Sequence, residues 1–283
     1  VLGGAFTALV TPFGDSGEID YAGLVRLLAW HEANGMDGVV VAGTNGEGPS
    51  LSAIEKRDLV RFSCQQAGNL KIIFGAGSCS LPEAVWLCEQ GEKAGAAAAL
   101  VLPPYYFSAE MSGVEDWFRR LIAASPLPII VYNFPKTTGI TLEPSMVERL
   151  LQMENCIGIK DSSGDVELLH AYLAVAAAHS KSMLVGDERL LLNALTLGGG
   201  GTISGLANSY PTLVARQVRE RSEALQALID ECAATLKALP QPAVHKTVLD
   251  HRGLPGGRVR PPLEPLSADA AVSVAAFVDR FGM

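Results

Sequence analysis

The sequence predicts an α/β fold, a (β/α)8 TIM barrel with a C-terminal helical extension, from three observations. Eight short apolar runs alternate with amphipathic segments through residue 210. The runs recur at spacings of roughly 18 to 35 residues, as βαβ units require. Nearly every run ends in a turn of polar residues or glycine, as barrel strands do where they meet a functional face. A doubly wound open sheet is the alternative, and the shortness of the strands favours the closed barrel.

The elements follow in order. Residues 6–10 form the first strand, and Tyr21, Leu24, Val25 and Leu28 share a helical face that Gly35 should end. Residues 39–41 form the second strand, and Ser52-x-x-Glu55 is a capping box for the next helix. Residues 72–74 follow, with a second box at Ser80-x-x-Glu83, then residues 98–102, with a third at Ser112-x-x-Glu115. Strand five spans 128–132 with a helix at 143–151, and strand six spans 157–160 with a helix at 166–178. Strands seven and eight are residues 183–185 and 201–204, the last fed by four glycines at 198–201. Helices are then expected at 212–239, 242–249 and 267–281, separated by Pro240, by the Gly253–Gly257 stretch and by Pro261-Pro262. Residues 1–210 are assigned to the barrel and 211–283 to helices packed on it.

A net charge of −8 argues against nucleic acid or an anionic membrane as the main partner. No apolar run approaches the roughly 20 residues of a membrane span, and no signal peptide is evident. The five cysteines are scattered with no CxxC pair, so they read as reduced core thiols and a cytoplasmic location is expected. The histidines show no HxH or HExxH spacing, so no metal is expected. Gly75-x-Gly77 lacks the third glycine of a dinucleotide fingerprint, and no nucleophile elbow supports a serine triad. Asp187-Glu188 reads as an acidic pair opening a helix, with a divalent-ion site as the weaker alternative.

Chemistry is therefore sought at the C-terminal strand ends. In "CIGIKDSSGD", alternation places Ile157 and Ile159 under the helices, and Gly158 and Lys160 inside the barrel. Gly158 would leave room for the lysine stem. Burial disfavours an ammonium, and a free amine attacks carbonyls to form a Schiff base. The alternative is a lysine that snorkels to the rim or pairs with Asp161. Tyr132, at the end of the neighbouring strand, is placed to relay protons, or is a core tyrosine with a satisfied hydroxyl. Gly43-Thr44-Asn45-Gly46 is a small turn whose amides and hydroxyl suit a carboxylate, or a plain tight turn.

The motifs "FTALVTPF", "DGVVVAGTNGE", "GAGS", "LPPYYF", "PIIVYNFPKTTG", "IGIKDSSGD", "GDE" and "TISGLAN", in this order, resemble the dihydrodipicolinate synthase / N-acetylneuraminate lyase family of class I aldolases. The resemblance covers nearly the whole chain. It implies Lys160 as the Schiff-base lysine that condenses with pyruvate, Tyr132 as the proton relay, and Thr44 as the hydroxyl linking Tyr132 to a second tyrosine. That second tyrosine matches Tyr106, which in the family reaches in from a neighbouring subunit of a homotetramer, a dimer of dimers. It further implies Gly43, Thr44 and Asn45 at the pyruvate carboxylate, and Gly186 and Ile203 lining the pyruvyl site. No cofactor is implied beyond the covalent imine with the substrate.

Three departures bear on the substrate. Family synthases carry a second hydroxyl where Asn45 stands, and an arginine where Thr137 stands, with Lys136 one place earlier. Cys79 replaces an asparagine of the lysine-feedback pocket, although Glu83 and Tyr105 remain. Together with "TNGEGP" and "RPPLEPL" near Arg260, these point to the branch that cleaves 2-keto-3-deoxy sugar acids or 4-hydroxy-2-oxoglutarate. The alternative is a synthase condensing pyruvate with aspartate semialdehyde. A more remote one is a non-catalytic 2-oxo acid binding protein.

Overall fold

Eight strands close into a parallel barrel in the computed structural model, which describes residues 2–282. They are β1 (Gly4–Ala8), β2 (Gly38–Val41), β3 (Lys71–Gly75), β4 (Ala98–Val101), β5 (Ile129–Asn133), β6 (Cys156–Asp161), β7 (Ser182–Val185) and β8 (Gly201–Ser204). Each pairs with the next, and β8 returns to β1 through Gly4–Gly201 and Phe6–Ile203. Two apolar layers follow from strand alternation. Phe6, Val40, Ile73, Leu100, Ile130 and Leu184 fill the barrel interior. Val39, Phe74, Val101, Val131 and Ile159 face outward against the helices.

Strand β6 breaks the alternation. Ile129 pairs with Cys156 but Ile130 with Gly158, so β6 holds one residue more than β5 there. This bulge at Ile157 resets the phase. Cys156 and Ile159 lie in the outer layer, whereas Ile157 packs against the inner cluster. The expectation that Ile157 and Ile159 share a face is therefore corrected.

The helix starts differ in how they are capped. Ser52 and Glu55 form the expected reciprocal box. Ser80 accepts from the Glu83 amide, but the Glu83 carboxylate goes to the Ser78 hydroxyl instead. Ser112 caps nothing: its helix begins at Met111 after Glu110, and Glu115 serves a two-point ion pair with Arg149.

The single helix expected at 212–239 is two, Pro211–Glu220 and Glu223–Leu236. Arg221 turns left-handed (φ 51°), and the Ser222 hydroxyl caps the second helix by accepting from the Leu225 amide. The first helix lies against β1 and β8. The second lies across the turn that follows β7. Helices Ala243–His251 and Ala268–Phe281 complete the extension. No helix among the described residues is long and apolar enough to cross a membrane.

Candidate active site

Lys160 stands next to last in β6, 5% exposed, directly opposite Tyr132 in the β5–β6 ladder. Its Nζ lies 4.1 Å from the Tyr132 ring centre, over the electron-rich face that attracts an ammonium. The inward direction predicted for Lys160 holds, but the room for it has another source. A Cβ on Gly158 would collide with the Ser182 carbonyl of β7, so that glycine serves strand packing. A Cβ on Gly186 would lie 2.9 Å from Lys160 Cε and would overlap Ser162 Oγ. Gly186 is what leaves the lysine its space.

Asp161 is not the partner of Lys160. Its carboxylate accepts from Asn133 Nδ2 at 2.7 Å and from Ser163 Oγ at 2.8 Å. Burial pushes the Asp161 carboxyl above its usual range, and these hydrogen bonds oppose the shift. Pairing with Asp161, one alternative left open by the sequence, is thus removed.

Tyr132 is 4% exposed and stacks on Phe134 at 5.6 Å. Its hydroxyl accepts from Ser162 Oγ at 3.2 Å, which leaves the phenolic proton free to donate. Within the single chain, Ser162 occupies the place on Tyr132 that the resemblance gives to Thr44. Ser162 was missed by sequence reasoning, yet it follows Lys160 by two residues, the spacing that shares a strand face.

The Gly43–Gly46 turn closes one side. Glu47 N donates to Thr44 O, and Gly48 N to Gly43 O. The amides of Thr44 and Asn45 donate to nothing among the described residues, so they are available to an anion. Gly205 permits close packing beside Asn45: a Cβ there would lie 2.7 Å from Asn45 Nδ2.

Lys160, Tyr132, Phe134, Ser162, Gly43, Thr44, Asn45 and Gly205 line one cavity of about 690 Å3, together with Thr137, Gly186 and Ile203. Of the catalytic and substrate-binding residues named from sequence, Tyr106 alone lies outside it. It is 78% exposed, against Phe107, which is 74% exposed.

The outer wall comes from the turn after β7 and from the extension. Glu188 is fully buried and accepts from Ser204 Oγ at 2.7 Å and the Leu206 amide at 2.9 Å. Lys237 Nζ lies 2.6 Å from Glu188 Oε2, an ionic contact outside hydrogen-bond angles, and 2.9 Å from Asp187 Oδ1. Arg189 grips Asp187 at two points. Burial alone would raise both carboxyls, but the Lys237 ammonium and these hydrogen bonds win. Glu188 is held down at about 2, and Asp187 also falls below its usual value. The acidic pair therefore ties the barrel rim to the Glu223–Leu236 helix. His245 also lines this wall, its Nδ1 2.8 Å from Ser209 Oγ, and burial lowers its pKa to about 4. Among the described residues, no three His, Cys, Asp or Glu side chains cluster as metal ligands.

The site brings together a buried primary amine at a barrel strand end, a phenol ring beside it and a turn of free amides. Fold and site define a carbon–carbon lyase of the class I aldolase type. The chain belongs to the dihydrodipicolinate synthetase family, whose model matches residues 1–280. It is 34% identical to the 4-hydroxy-tetrahydrodipicolinate synthase of Methanococcoides burtonii, covering 94% of each chain. It is 33% identical to that of Bacillus subtilis, covering 98% of each. Among solved structures, a dihydrodipicolinate synthase from Aquifex aeolicus superposes with a TM-score of 0.93 at 28% identity, over 99% of this chain and 98% of that one. A prophage protein of the same family from E. coli K12, in complex with pyruvate, gives 0.93 at 26% identity, over 99% of both chains. The expected closeness to the keto-deoxy sugar acid branch gains nothing from the Methanococcoides burtonii and Bacillus subtilis relatives, both named as the synthase.

Proposed function

We propose that this protein is a pyruvate-dependent aldolase that works through an imine on Lys160. The observation that carries the reading is the buried Lys160 amine facing Tyr132 in a cavity edged by the free amides of Thr44 and Asn45. The amine adds to the C2 carbonyl of pyruvate, and loss of water gives the iminium. Loss of a C3 proton gives the enamine, which attacks an aldehyde carbon and forms the C3–C4 bond and a C4 hydroxyl. The reverse sequence cleaves that bond. Tyr132 moves protons to and from the carbinolamine and the C4 oxygen. Gly43, Thr44 and Asn45 hold the carboxylate, and Gly186 and Ile203 enclose the pyruvyl group. The exposure of Tyr106 and Phe107 supports a homo-oligomer, a tetramer by resemblance, in which Tyr106 enters a neighbouring copy's site.

For the second substrate, the relatives support condensation with aspartate semialdehyde, the synthase reaction, as the leading reading. One observation favours the rival, in which a 2-keto-3-deoxy sugar acid or 4-hydroxy-2-oxoglutarate is cleaved or formed. The cavity offers no free guanidinium for a distal carboxylate: Thr137 stands where synthases carry arginine, Arg189 and Lys237 are already paired, and Lys136 supplies only a point charge.

Borohydride trapping tests the shared step. Pyruvate should be fixed on Lys160, as read by mass spectrometry, and Lys160→Ala should abolish it; trapping at an unchanged rate refutes the assignment. A coupled assay with dihydrodipicolinate reductase, run beside a panel of 4-hydroxy-2-oxo acids read by pyruvate release, decides the second substrate.

A further inference from the structure

The turn that edges the cavity is strained at both ends. Ala42 and Glu47 both adopt φ 55°, a left-handed conformation that side chains other than glycine seldom take. Such a residue persists only where its surroundings over-determine it. At Glu47 the surroundings are unusual. The residue is 1% exposed, and its carboxylate lies 2.6 Å from the ammonium of Lys246, itself 2% exposed. The second carboxylate oxygen accepts from the Arg260 amide at 2.8 Å. Lys246 belongs to the Ala243–His251 helix and donates in turn to the Arg258 carbonyl. Arg260 crosses back to the barrel, bonding the Ser50 carbonyl at 3.0 Å and Glu55 at 2.6 Å. Both cations lie over the Phe13 ring, at 4.5 and 4.3 Å.

None of these groups lines the active-site cavity. They nevertheless grip the turn three residues from Thr44, and Thr11 Oγ1 holds the same turn through the Gly46 carbonyl at 2.7 Å. A buried ion pair is an inefficient way to stabilise a fold, since desolvation offsets much of the attraction. It is an effective way to fix one geometry, because a displaced carboxylate would leave a buried charge uncompensated.

We propose that Glu47, Lys246 and the Arg258–Arg260 strap are positioning residues. They hold the Gly43–Asn45 turn in the strained form that presents its free amides to the carboxylate of the 2-oxo acid. The C-terminal extension thereby becomes part of the pyruvate-binding apparatus. This rests on the reading of Lys160 as the imine lysine, and it adds which distant residues set the affinity for the first substrate.

The experiment measures borohydride trapping on Lys160 as a function of pyruvate concentration. It uses the unmodified protein, Glu47→Gln and the double variant Glu47→Gln/Lys246→Met, which removes both charges together. Half-saturating pyruvate should rise about tenfold or more, while the trapping rate at saturation stays within about threefold, the signature of lost carboxylate binding. A purely structural pair would lower the melting temperature and leave half-saturation unchanged, and that result overturns the proposal. If neither variant folds, Arg260→Leu loosens the strap while keeping the ion pair. A rise in half-saturating pyruvate of about threefold is then expected, and no rise overturns the proposal. Failure of the unmodified protein to trap pyruvate would strike the imine reading itself and is thereby told apart.

Discussion

The cavity's inner wall, built from strand ends and the turn after β5, carries Lys160, which lies against an aromatic face, and Lys136, which has no ion-pair partner among the described residues. The outer wall, built from the turn after β7 and the Glu223–Leu236 helix, carries Asp187, Glu188, Arg189 and Lys237, which spend their charge on one another. Strand ends give few, rigid positions, so a charge placed there stays available for chemistry. The outer wall's charges are neutralised before any substrate arrives. The comparison therefore separates the wall that holds the buried amine from the wall whose ions tie the rim to the C-terminal extension.

The largest effect should come from the inner wall. Tyr132→Phe removes the phenolic proton while keeping the ring over Lys160 and its stack on Phe134. Turnover should fall by about 10²- to 10⁴-fold, the usual worth of a positioned acid–base group, with little change in melting temperature. Steady-state kinetics on whichever substrate the panel identifies gives the number. A fall under threefold would break the assignment of proton transfer to this wall.

Lys237→Met should reverse the pattern, costing stability more than chemistry. It leaves Glu188 buried with only Ser204 and Leu206 as partners, and Asp187 with Arg189 alone. Removing one member of a fully buried pair costs about 3 to 5 kcal/mol. Lys237 is 35% exposed, so screening trims the expectation to about 2 to 3 kcal/mol. Urea denaturation should show that loss with borohydride trapping of pyruvate intact. A loss of trapping with stability unchanged would place Lys237 in the reaction itself.

How much of each wall could be read from sequence follows from where its residues lie. The barrel, Lys160 and Tyr132 were legible because strand periodicity and a polar strand end are local signals. The bulge at Ile157 was not, because "CIGIKD" is equally apolar in either phase and only the pairing with β5 decides it. Hence Lys160 was placed correctly while its clearance was credited to Gly158 instead of Gly186. Lys237 and Lys246 left no trace, since each meets its partner only after folding. Lys237 pairs with Asp187, and Lys246 with Glu47, across long stretches of chain that no local spacing rule connects. The break at Arg221 was hidden by the continuous helical composition of "RQVRERSEALQ", although Ser222 followed by Glu223 is a helix-start signal.

The smallest effect sets a buried histidine of the outer wall beside one outside the cavity. His31, on the Tyr21–Ala33 helix, faces β1 with Nδ1 3.1 Å from Thr7 Oγ1, and burial lowers its pKa to about 3. His245, in the outer wall, is lowered to about 4, first by burial, with Glu188 raising it and Lys237 lowering it again. Both are neutral when folded, whereas an unfolded histidine titrates near 6.5. Below that value the unfolded chain binds more protons, so each residue's contribution is complete above about pH 6.5 and is lost as the pH falls toward the folded value. At pH 5 each should cost about 2 kcal/mol relative to pH 7. Glu188 loses its contribution lower, between 4.5 and about 2, so most of its loss falls below pH 5. His31→Gln and His245→Gln should each flatten the stability difference between pH 7 and pH 5 by about that amount in urea titrations. If the outer-wall ions govern His245, Lys237→Met should also shrink its share, because Glu188 then stabilises the protonated ring, while His31 keeps its full slope.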